Sequence, residues 1–254
     1  MLPIRDLNPT NRVAIVTIGL ILANLVIFFA WQPEAFIGLG TAERSVEAVQ
    51  SDFLYEYAMV PCEVTHVAPL SDALVTECAG GTGSGFGDTP YHPDKMVAAS
   101  VVVSMFLHAG LIHLFGNLWY CWIFGNNVEE RFGSVRFLGF YLAGGVVASL
   151  AQVATDPDSL VPVVGASGAI AAVMGAYLVQ FPGARVVTIL PPFFFWPFRL
   201  PAWTMLIAWF VLQFYTDPAS GVAWVAHVSG FGFGAIAGLY GRTGRDRTRV
   251  ALGR

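Results

Sequence analysis

Apolar residues in this chain come in long blocks rather than at the short periods of soluble helices or strands. Val13–Trp31 (VAIVTIGLILANLVIFFAW) is almost wholly apolar and long enough to cross a hydrocarbon core of about 30 Å. Its flank, Gln32-Pro33, lacks the small-residue cleavage pattern of a signal peptide, which predicts a retained first helix over residues 13–31. Further runs follow at Gly110–Val128, Phe137–Ala154, Ser167–Phe181, Pro201–Tyr215 and Trp224–Gly241, separated by prolines and charges such as Pro157, Pro162, Pro182, Arg185 and Pro218. The pattern predicts six helices, the last five within residues 110–241, in an all-α polytopic membrane protein. One membrane domain over residues 1–254 is expected, with no long internal repeat.

Composition agrees. With 56% hydrophobic and 12% charged residues, the chain has too little charge to cover a soluble core. Charge placement sets the orientation. With the N-terminus inside and the sides alternating, every Lys and Arg except Arg44 and Lys95 falls on the inner side. The positive-inside rule then predicts cytoplasmic N- and C-termini. It also makes the basic tail, residues 242–254, a topology signal rather than a nucleic-acid site. Short tails and no transit peptide lead to the expectation of a bacterial plasma (inner) membrane.

Residues 32–97 form the large extracytoplasmic loop and hold most of the acidic side chains. The loop opens with an amphipathic stretch, Thr41–Tyr57, and becomes glycine-rich at Ala79–Gly87. Cys62 and Cys78 lie within it, and an oxidising compartment predicts a disulfide between them, the other reading being two free thiols. Cys121, inside the second helix, reads as a small core residue.

Polar groups at membrane depth are expensive and each needs a reason. Those present are Asn24, His108, His113, Asn117, Ser167 and His227. Asn24 reads as an interhelical hydrogen bonder. His113 and Asn117 are four apart, on one face near the outer start of the second helix. Ser167 opens the fourth helix and His227 lies one turn into the sixth, both from the outer side. The fourth run is short, covering about 22 Å at the rise of an α-helix. Pro162 and Gly165 break the apolar segment before it, so Ser167 starts a helix below the membrane surface, beneath a water-accessible pocket.

A serine needs a base to become a nucleophile. No carboxylate lies at this depth, which leaves a Ser–His dyad, with His108, His113 and His227 as the histidines at membrane depth. Ser167 N–H, His113 and Asn117 are the candidate oxyanion donors. Gly230, Gly234 and Gly238 on the sixth helix, and Gly168, Ala171, Ala172 and Gly175 on the fourth, give small faces for close approach. Gly85-Phe86-Gly87-Asp88 matches a GxGD aspartyl-protease motif but sits in a polar loop without a second intramembrane aspartate. His108 and His113 are five apart, which splits their rings across a helix and disfavours a metal or haem site.

These residues carry a resemblance. HAGLIHLFGN (His108–Asn117), EERFG (Glu129–Gly133), GASG (Gly165–Gly168) and AHVSGFGFG (Ala226–Gly234) occur in the order of the rhomboid intramembrane serine proteases. The chain resembles that family strongly over Met96–Gly241 and weakly over the first helix. The resemblance implies a six-helix rhomboid bundle with Ser167 as nucleophile, His227 as base, and His113, Asn117 and the Ser167 N–H as oxyanion site. His108 would support the site, and Glu129 and Gly133 would be structural. It implies single-pass transmembrane proteins as substrates within a lipid bilayer, and no metal or organic cofactor. The other class of reading is a rhomboid-like protein that binds transmembrane helices without catalysis; such proteins typically lack the serine or the histidine. A channel or transporter built on the buried polar groups is a further reading. Two departures stand out. The Trp-Arg pair of many members' first outer loop is missing, and Ala171 stands where many carry an aromatic ring against the catalytic histidine. Phe231, one turn past His227, is the candidate replacement.

Overall fold

The computed structural model describes residues 2–33, 46–82, 88–189, 196–217 and 221–251. All six apolar runs are helical: α1 (Ile15–Ala30), α6 (Leu111–Phe132), α7 (Ser134–Thr155), α8 (Ser167–Gln180), α9 (Ala202–Gln213) and α10 (Trp224–Ala251). Among described residues, Ser134–Thr155 alone is long and apolar enough to span by itself. α5 (Val97–Val103) with its 3-10 extension and α6 make a second candidate, bent by 79° at the break between them. α1, α8 and α9 are shorter apolar helices.

The all-α expectation needs correction. β1 (Leu2–Asp6), β2 (Arg185–Ile189) and β3 (Pro197–Pro201) form an antiparallel sheet in the order β1-β2-β3. The stretch after Pro182 reads as a separator between apolar runs, yet Val186, Val187, Thr188 and Ile189 are four β-branched residues in succession. Their stiff side chains favour a strand. Among described residues the chain is nonetheless mostly helical, and it divides into two compact units.

The first unit comprises Met1–Ile21, Gly116–Ala148 and Ser167–Arg254. Its β1 strand is pinned by side chains of α6 and α8. Asp6 Oδ2 accepts from Tyr177 O–H at 2.7 Å and Asn127 Nδ2 at 2.6 Å, and Trp119 Nε1 donates to the Pro3 carbonyl at 2.6 Å. Burial pushes the Asp6 carboxyl above the usual carboxylate range, against the opposing pull of hydrogen bonds from the Asn8 backbone, the Tyr177 hydroxyl and the Leu7 backbone. A raised folded-state value means that the folded protein holds this proton more tightly than the unfolded chain. The group's contribution is therefore fullest below the unfolded value and is lost as pH rises through the folded one. Asp6→Asn, which cannot ionise, is expected to flatten the fall of the melting temperature as pH rises above about 4, the unfolded-state value of an aspartate. Parallel curves for the variant and the parent would refute this.

Glu129 explains the EERFG stretch. Its carboxylate accepts from Val16 N–H at 3.0 Å, from Thr17 N–H and Thr17 O–H at 2.8 Å each, and from Ser134 O–H at 2.6 Å. It thus caps the open amides at the start of α1, where a negative charge also meets the positive helix end. Gly133, at φ +82°, makes the turn into α7, and its N–H bonds to the Glu129 carbonyl at 2.7 Å.

The second unit comprises Leu22–Phe115 and Ser149–Ala166. The stretch expected as an outer loop holds α2 (Val46–Tyr57), α3 (Pro61–His66) and α4 (Asp72–Cys78). α2 falls on the amphipathic stretch, whose residues 41–45 lie outside the described residues, as do residues 83–87 of the glycine-rich stretch. A disulfide joins Cys62 to Cys78 and so α3 to the end of α4. Around Cys62, Val60, Leu70 and Leu74 form a small core. Lys95 and Glu63 make an ion pair with both side chains almost fully buried, and Lys95 Nζ also donates to the Tyr55 carbonyl at 2.6 Å. Burial pushes the Lys95 ammonium below its usual range, and its partner Glu63 opposes that shift.

Candidate active site

Packing between α8 and α10 positions the site. A Cβ at Gly230 would collide with the Gly168 carbonyl, one at Gly234 with the Ala172 carbonyl, and one at Gly175 with the Phe231 carbonyl. Only hydrogen fits between backbones this close, so the small residues of both helices set the separation. Gly168 itself faces Ala148 of α7, and its missing Cβ would lie 3.7 Å from the Ala226 carbonyl. The first turn of α8, which Ser167 opens, therefore lies against the turn of α10 that carries His227. Both side chains are half-buried. Asn117 is buried on α6.

His227 is held by α9. Its Nδ1 lies 2.8 Å from Gln213 Oε1, and its ring centroid is 5.9 Å from that of Trp209, tilted by 39°. Ala171 is fully buried. The expected substitute, Phe231, stacks instead on Trp209 at 6.0 Å and packs on Phe210 at 4.8 Å, so it backs the ring that faces the histidine. Trp209 and Gln213 are one turn apart on α9 and present a common face. Neither stands out in the sequence, because Trp209 is one aromatic among many. Gln213, a lone amide in the apolar run Pro201–Tyr215, is the signal that could have been used.

In the second unit, His108 is fully buried and meets the half-buried His113 edge-on, with centroids 5.2 Å apart. Its backbone is clamped by Gln32: His108 N–H donates to Gln32 Oε1 and Gln32 Nε2 donates to the His108 carbonyl, both at 2.9 Å. Gln32 reads in the sequence only as a flank of the first helix. Gly165, at φ +116°, occupies a conformation that side chains other than hydrogen rarely adopt, and its N–H bonds to the Ser104 carbonyl at 2.9 Å. Among described residues, the cluster of metal-ligating types is Cys62, His66 and Cys78, whose two sulfurs are bonded to each other. Of the GxGD match, Gly85, Phe86 and Gly87 lie outside the described residues.

The chain is 33% identical over 94 residues to zebrafish (Danio rerio) presenilin-associated rhomboid-like protein A, mitochondrial, covering 36% of this chain and 24% of that one. It is 40% identical over 78 residues to the mitochondrial RHOMBOID-like protein 6 of Arabidopsis thaliana, covering 31% and 25%. With rhomboid protease GluP of Bacillus subtilis it shares 44% identity over 72 residues, covering 28% and 14%. The matches thus span about a quarter or less of these relatives' own lengths. They overturn the expectation of a bacterial plasma membrane. That expectation was drawn from the tails and the leader pattern, whereas several of the matched relatives are mitochondrial by name. The rhomboid domain itself matches residues 96–243, more than half of the chain and all of α6 to the first part of α10, and the chain therefore belongs to the rhomboid family.

Proposed function

We propose that this protein is an intramembrane serine endopeptidase that cuts transmembrane segments of single-pass membrane proteins. The observation that carries the reading is the backbone contact between α8 and α10, which sets the Ser167 turn against the His227 turn. In this reading the six apolar helices span the bilayer with both termini on one side, and the site opens towards the other. The name of the Bacillus relative, a rhomboid protease, supports it as well.

The chemistry follows from the residues. His227 Nε2 takes the Ser167 hydroxyl proton as Oγ attacks the scissile carbonyl. The oxyanion is held by Ser167 N–H, His113 and Asn117, all ordinary hydrogen-bond donors. His227 returns the proton to the leaving amine, and a water activated by the same ring hydrolyses the acyl-enzyme. The substrate helix must unwind first, because helical carbonyls are shielded by their own hydrogen bonds. No step calls for a metal or an organic cofactor.

A serine-directed fluorophosphonate tests the reading on the purified chain. It is expected to modify Ser167, located by peptide mass spectrometry, and to block cleavage of a transmembrane peptide. An unmodified Ser167 in folded protein that also leaves the peptide intact would favour the helix-binding, non-catalytic class.

A further inference from the structure

The contact between Gln213 and His227 does more than fill space. Gln213 is buried at the last turn of α9. Its Nε2 donates to the Trp209 carbonyl at 3.0 Å, and its Oε1 lies 2.8 Å from His227 Nδ1. That order fixes the amide. A flipped amide would set oxygen against the Trp209 carbonyl oxygen and lose a hydrogen bond in a buried place. Gln213 Oε1 can therefore only accept, and His227 Nδ1 must carry the hydrogen. The lone pair of the ring is left on Nε2, the nitrogen a general base needs.

From this geometry we propose that Gln213 is a positioning residue, which selects the tautomer of His227 and, with Trp209, fixes the ring plane. The proposal rests on the serine-protease reading above. It assigns to a neutral amide from α9 the orienting task that a carboxylate performs in a Ser-His-Asp triad. An amide orients the ring without adding a charge, so the imidazolium formed during the reaction gains less from it than from an anion. α8 has no ionisable side chain near Ser167 other than that hydroxyl, and α9 has none between Ala202 and Gln213. α10 has none but His227 through its first four turns, and the charged residue on the connection after α9 is the exposed Asp217.

The test compares the full chain, Gln213→Met, Gln213→Glu and Ser167→Ala, on one fluorogenic transmembrane peptide in bicelles. Gln213→Met keeps the volume and removes the acceptor. It is expected to lower kcat at least about tenfold with KM unchanged, since tautomer control acts on the chemical step. Gln213→Glu restores the acceptor and brings a charge. It is expected to recover most of kcat at high pH and to move the acid limb of the rate profile up by about one pH unit, because a carboxylate favours the imidazolium. A merely structural residue would give neither the shift nor the recovery. Melting temperatures close to the parent's show that both variants fold; a Gln213→Met protein that fails to fold leaves the Gln213→Glu profile to decide. An active parent, an inactive Ser167→Ala and a Gln213→Met at parental kcat would overturn the Gln213 role alone, as would an unmoved acid limb in Gln213→Glu. A folded but inert parent would overturn the protease reading and this one together.

Discussion

Ser167→Ala is expected to cut the rate of peptide cleavage by at least about 10³-fold, leaving KM and melting temperature near those of the parent. The size follows from what the change removes. Without Oγ there is no acyl-enzyme, and only the oxyanion donors and substrate alignment remain to accelerate attack by water. The fold should tolerate the loss, since alanine is already the neighbouring residue type along α8 and Ser167 is half-buried. A variant that cleaves at a tenth of the parental rate or better would exclude Ser167 as the nucleophile. A variant that melts far below the parent would instead make Ser167 a packing residue.

The second large effect is on the fold. In Gly234→Val the new Cβ meets the Ala172 carbonyl and the Cα behind it. These are backbone atoms and cannot rotate away, so α8 and α10 must part. Overpacking of a tight contact costs about 1–3 kcal/mol when side chains can yield, and this contact belongs at the top of that range or beyond it. The melting temperature should fall by several degrees, with cleavage reduced further, because the same separation draws Ser167 from His227. Gly232→Ala is the control on the same helix two residues away. Its Cβ would meet nothing within 4 Å, and alanine is the better helix former by about 1 kcal/mol. Equal stability of the two variants would show that the small-residue faces do not set the helix separation.

Much of this was legible because a bilayer makes sequence explicit. Long apolar runs can do little but form helices where no water satisfies the backbone, and all six runs do so, with ends within a few residues except where α10 continues through the basic tail to Ala251. The serine at the head of a short helix and the glycines at four-residue spacing on α10 were readable for the same reason. The sheet was not. β1 and β3 are five residues each and carry prolines, and their pairing with β2 joins residues 2–6 to residues 185–201, a separation no local pattern encodes. The partners of His227 were missed for another reason. Ala171 directs attention to the helix of the serine, whereas Trp209 and Gln213 come from α9, and which helix faces a histidine depends on packing rather than on spacing. Gln32 was hidden by its position at the end of an apolar run, where polar residues are unremarkable. The membrane was misread because it was inferred from something missing, not from a residue present.

Glu129 has a consequence for the order in which the molecule is made. The amides it caps, on Val16 and Thr17, belong to a helix that leaves the ribosome well before α6, and the carboxylate follows Val16 by 113 residues. At ordinary rates of synthesis that gap is on the order of ten seconds. For that interval the start of α1 must borrow its hydrogen bonds from water or lipid headgroups. It gains its own cap, and its fixed place beside α6 and the Ser134 end of α7, only when the middle of the protein arrives.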